Sequence, residues 1–128
     1  DCKVLTVGDG LVSGVGTNDG GGFRKHLFQR AVTANKKMTF VGDQMSGPAM
    51  FAGRTFPRGH EGRPDAKIAS AASTAMAAIT KHSPHIVLLE IGGEDLWTND
   101  NVAAAPQRLF TLLDALITAA PKALVVVV

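Results

Sequence analysis

The sequence predicts an α/β fold, a three-layer α/β/α sandwich on a mostly parallel sheet. Three observations lead there. Strand-like and helix-like segments alternate along the whole chain. Two of the strand segments, residues 85–91 and 123–128, carry apolar residues on both faces, as parallel strands covered by helices on either side do. The strands also end in glycine and carboxylate: Gly8-Asp9-Gly10, Gly42-Asp43 and Gly92-Gly93-Glu94-Asp95. In parallel sheets of this kind, ligand sites lie beyond the carboxyl ends of the strands.

In chain order, Lys3–Gly8 is a short apolar strand stopped by glycine. A glycine-rich loop follows, and Gly22–Thr33 then sets Phe23, Leu27, Phe28 and Ala31 at helical spacing. Met38–Val41 is a second strand. Residues 42–65 hold glycines and prolines with no sustained period, which reads as a long ordered loop of the kind that usually carries function. Ala66–His82, with its alanines and Ile68, Met76 and Ile79, is a second helix. His85–Ile91 is the third strand. Pro106–Ala120 is a third helix, with proline in its first turn and Leu109, Leu112, Leu113, Leu116 and Ile117 on its apolar face. Ala123–Val128 closes the series as a fourth strand.

At 128 residues and 45% hydrophobic content, the chain suits one folded domain spanning residues 1–128. Thirteen basic and eleven acidic side chains leave a net charge of +2. That balance points to neither nucleic acid nor an anionic membrane as partner. The chain begins at Asp1, and Cys2 is the only cysteine. The expectation is an exported, extracellular protein in which Cys2 is a small thiol or pairs outside the chain.

Three chemistries compete for the opening loop. Gly8, Gly10 and Gly14 after a strand, with Asp43 ending the next, suggest dinucleotide binding. The spacing is off by one, however, and Gly20-Gly21-Gly22 delays the helix whose N-terminus a pyrophosphate needs. Convergence of Asp9, Asp43, Glu94 and Asp95 would make a divalent-cation module through oxygen ligands. The plainer role for such acids is capping loop amides.

The third reading is a resemblance. VGDGLVSGVGTNDGGGFRKHLF, FVGDQMSGP with HEGRPDAKI, SPHIVLLEIGGEDLW, and APQRLFTLLDALITAAPKALVVVV occur in the order of the blocks of the SGNH (GDSL-type) hydrolases. The chain is most similar to the polysaccharide acetyl esterases of that superfamily. The resemblance implies a flavodoxin-like sheet and a site at its carboxyl edge, with no cofactor and no metal. Against the resemblance, the family's last strand and helix, with the final block bearing Asp and His, are absent from residues 1–128.

The family's chemistry needs a nucleophilic serine, a histidine to take its proton, and donors for an oxyanion. By the resemblance, Gly10 stands at the serine, Asp65 at an oxyanion glycine and Glu94 at an oxyanion asparagine. Glycine offers no nucleophile, and an ionised carboxylate only accepts hydrogen bonds. No catalytic position is then intact. Asp9, Asp95, Gly62 and His60 are left to shape the site, with Asp43, Trp97 and Ser13 as candidate ligand-binding residues. Ser13 reads first as a turn or capping hydroxyl. Trp97 and Phe51 read as packing residues, with Trp97 becoming a sugar platform if it is exposed. His82 and His85 fall at the opposite end of the sheet.

The expected function is therefore that of a catalytically degenerate esterase-like domain that binds carbohydrate or assembles with itself. The alternatives are an active acetyl esterase completed by a C-terminal segment, and the cation module. The apolar run Leu124–Val128 would be an open sheet edge, expected to pair with a further segment or another copy.

Overall fold

The computed structural model describes residues 1–128. Its centre is β1 (Cys2–Gly8), whose residues Val4 to Gly8 are all buried. A single helical turn, α1 (Gly10–Ser13), and the helix α2 (Gly22–Thr33) follow, then β2 (Met38–Val41). Four short strands come next: β3 (Gln44–Met45), β4 (Met50–Phe51), β5 (Arg54–Thr55) and β6 (Gly59–Gly62). The remainder is α3 (Ile68–His82), β7 (Ile86–Glu90), α4 (Gly93–Trp97), α5 (Ala105–Ala119) and β8 (Leu124–Val127).

The sheet is parallel except at β3, which runs antiparallel to β6. On one side β1 has two partners in succession. β2 pairs with its first half, from Cys2↔Met38 to Leu5↔Val41, and β6 with its end, at Val7↔Glu61 and Gly8↔Gly62. On the other side β7 pairs along its length, from Val4↔Ile86 to Gly8↔Glu90, and β8 lies outside β7. β4 and β5 form a separate hairpin.

The larger core lies between this sheet and the helices α3 and α5. Leu5, Val7, Val87 and Leu89 meet Ala71, Ala75, Ala78, Leu112 and Leu116 there. The alanines of α3 matter because a helix of small residues can lie close against the sheet. On the opposite face Val4 packs with Phe28, Phe40 and Phe56, and Phe56 meets Phe28 edge-on at 5.4 Å.

Several expectations need correction. Residues 42–65 are not a strandless loop. β6 has the sequence GHEG, with no apolar side chain, so no hydrophobic pattern announces it. It forms because β2 leaves β1 at Leu5 and the vacated edge needs a partner. The fourth strand is not covered on both faces: only Val125 of β8 is half-buried, and Leu124, Val126 and Val127 are exposed. Met76 and Ile117 lie at the edges of their helices and are exposed too. In α2 the inward face is Arg24 and Phe28, one turn apart, while Phe23, Leu27 and Ala31 are only half-buried.

Candidate functional site

Three loops meet beyond the carboxyl ends of β1, β6 and β7. At the first, Asp9 caps α1, its Oδ1 accepting from the Leu11 amide at 3.1 Å. Gly10 is the first residue of α1. A Cβ placed on it would touch only Val15 and, at 3.7 Å, the Pro64 carbonyl oxygen, both ordinary contacts. Neither conformation nor crowding requires glycine here. Gly62 differs: its Cβ would collide with the Ser13 amide nitrogen, so α1 rests directly on the β6 backbone. The loop is glycine-rich because main chain packs on main chain, yet the glycine at position 10 is optional.

The second loop leaves β6 through Arg63, whose amide donates to the Gly8 carbonyl at 3.0 Å. It carries exposed Pro64 and Asp65 past Gly10. The third leaves β7 through Gly92 and Gly93, and a Cβ on Gly93 would lie 3.1 Å from Asp9 Oδ2. Glu94, half-buried, follows in the first turn of α4. Beside these loops lies a cavity of about 490 Å³, whose lining includes Gly8, Arg63, Asp65, Ser70 and Thr74.

Carboxylates dominate the site, and most are committed to structure. Asp95 is wholly buried; its Oδ2 accepts from the Ile68 amide at 2.9 Å, capping α3, and its Oδ1 accepts from Arg108 of α5 at 2.9 Å. Glu61, also buried, accepts from the Asp43 amide and faces Arg63. One acid that the sequence reading passed over is Glu90, paired in register with Gly8. Burial, together with the charge and hydrogen bond of Asp9, pushes its carboxyl up to about 7. Glu90 Oε2 is buried without a hydrogen-bond partner. A lone acid ending an otherwise apolar strand was the available signal.

No activated nucleophile stands among these groups. Ser13 Oγ donates to the Gly10 carbonyl at 2.9 Å. One serine does contact a histidine: Ser46 Oγ lies 2.8 Å from His60 Nε2. The polarity is wrong for catalysis, because His60 Nδ1 accepts from the Gly62 amide at 3.0 Å, which leaves the proton on Nε2. Burial, with Arg24 and Arg63 nearby, pushes this imidazole down to about 4. Ser46 Oγ in turn donates to the Ser13 carbonyl and accepts from Arg24. Arg24, fully buried, also donates to the carbonyls of Val12, Gly20, Ser46 and Arg58. Burial brings its guanidinium down to about 10. This network ties α1, α2 and β6 together, and Arg24 was masked in the sequence by its place on an apolar helix face.

Other candidates lie elsewhere. Asp43 is not at the mouth; it pairs with Lys81 at 2.7 Å and His82 at 2.9 Å, at the far end of α3. Lys81 and then His82 hold its carboxyl below the usual range. His85 Nδ1 accepts from the Lys3 amide. No group of three or more His, Cys, Asp or Glu side chains is arranged to hold a metal ion. Phe51 packs against Phe56, whereas Trp97 on α4 is 87% exposed, with Leu96 exposed beside it.

No family model and no curated protein matches the sequence. Solved structures do. A family 3 carbohydrate esterase from Clostridium thermocellum is 32% identical, with a TM-score of 0.87 over 98% of this chain and 60% of that one. A family 3 carbohydrate esterase from Talaromyces cellulolyticus is 20% identical, with a TM-score of 0.82 over 99% of this chain and 61% of its own. AlinE4, an SGNH-hydrolase family esterase, shares the fold at 19% identity and a TM-score of 0.70, over 99% of this chain and 58% of that one. The chain thus spans about 60% of the length of the structures it matches.

Proposed function

Because the chain belongs to the SGNH (GDSL-type) hydrolase superfamily, we propose that it is a catalytically silent, esterase-like domain that binds carbohydrate at the old reacting centre. The observation that carries this reading is Gly10: there is room for a side chain at the nucleophile's place, and none is present. Around it stand Asp65 and Glu94, whose carboxylates would oppose a developing oxyanion. His60, on the strand β6 that leads into this centre, has both ring nitrogens engaged.

Binding is favoured over bare scaffolding by Trp97. An indole 87% exposed at the end of α4, the short helix that follows the Gly92-Gly93 loop, is a stacking surface for a sugar ring. It is also the only tryptophan, so its fluorescence reports on this site alone. Xylo-oligosaccharides are expected to shift that fluorescence saturably, and Trp97→Ala to weaken their binding by about tenfold, near 1.4 kcal/mol. No hydrolysis of p-nitrophenyl acetate or acetylated xylan above background is expected, before or after Gly10→Ser. Saturable turnover blocked by a serine-directed phosphonate would overturn the silent reading and favour a working acetyl esterase.

A further inference from the structure

We propose that the groove along the outer edge of β2 binds an extended acidic peptide segment. Charge is divided unevenly along this chain. Residues 20–60 hold seven basic side chains and one acidic, against six and ten in the rest. The single acid, Asp43, is taken up by Lys81 and His82. Within the basic part, Lys36, Lys37 and Arg54 have no carboxylate partner, and all three line a groove of about 590 Å³.

The groove lies between β2 and the segment 54–57. Its floor is apolar, from half-buried Val32 and Met38 over the buried Phe28. β2 pairs with β1 alone, so its other edge has no strand beside it. The Lys37 carbonyl accepts from the Cys2 amide, so alternate residues turn their main-chain groups toward β1 and those of Met38 turn outward. An unpaired strand edge above an apolar floor, walled by unpaired cations, matches a peptide adding as a strand. Its main chain would pair with β2, its apolar side chains would enter the floor, and its acids would meet Lys36, Lys37 and Arg54. A saccharide fits less well, because Phe28 is buried and offers no open ring face. One carboxylate, Asp1, lies on the rim and disfavours acids at that end.

The test is an amide-resolved NMR titration of the protein with the blocked hexapeptide acetyl-Glu-Val-Glu-Val-Glu-Val-amide. The largest shifts are expected at Met38–Phe40. The Lys36→Glu/Lys37→Glu variant and Arg54→Glu, folded by the same spectra, should each bind at least about tenfold more weakly. A peptide N-methylated at alternate residues should lose binding. Absence of shifts on β2, equal affinity in the charge-reversed variants, or tighter binding of oligogalacturonate than of the peptide would each overturn the proposal.

Discussion

Two titrating residues, buried His60 and half-buried Glu90, work against each other. In the folded protein His60 stays neutral down to about pH 4, whereas the unfolded chain protonates it near 6.5. Across that window the unfolded state binds more protons, so stability rises with pH and is lost on acidification, by at most about 3 kcal/mol. Glu90 has the opposite sense. It keeps its proton up to about 7 when folded and releases it near 4.5 when unfolded, so stability falls as pH rises between those values. Where the windows overlap, the slopes oppose, and the parent protein should be nearly flat. Urea unfolding at stepped pH is the measurement. Relative to the parent, Glu90→Gln should gain stability with rising pH across the overlap, and His60→Asn should lose it. Parallel curves for all three would show that neither environment is as described.

At the scale of elements, α3 and α5 are joined by one side chain. Asp95→Ala would uncap α3 and take one acceptor from Arg108, which keeps the Asn101 and Asp100 carbonyls, and should cost about 2–4 kcal/mol in chemical denaturation, with Asp95→Asn retaining part of the cap. A loss below 1 kcal/mol would contradict that arrangement. The outer edge of β8 makes a second prediction. We propose that it pairs with another copy, since Leu124, Val126 and Val127 are exposed on a charge-free strand. Light scattering should show association that dilutes away in Val126→Lys; a stable monomer at all concentrations would refute it.

These elements were unevenly legible in the sequence. β1, β2, β7 and β8 announce themselves as short apolar runs, and α2, α3 and α5 by apolar residues at helical spacing, and α2 and β2 have the expected limits. β6 does not, because it is held by main-chain bonds to β1 and needs no apolar side chain. At the site, Asp9 and Gly10 were marked by their place after a strand. The Glu90–Asp9 contact depends on register between strands distant in sequence, and Asp43 was misplaced because β2 ends halfway along β1.

For the whole molecule, the sheet order has an electrical consequence. The sheet strands from the basic stretch, β2, β3 and β6, lie on one side of β1, while β7 and β8 lie on the other. The protein is therefore a dipole across its own sheet, although its net charge is only +2 and its isoelectric point about 8.9. Uniformly spread, such a charge would give retention on a cation exchanger alone at pH 7. A dipolar molecule can instead turn either side toward a resin, so low-salt retention on both cation and anion exchangers is expected. Release from both should follow once the screening length falls to about 10 Å, near 0.1 M salt. Unretained passage through the anion exchanger at low salt would mean that the two charged sides do not act separately.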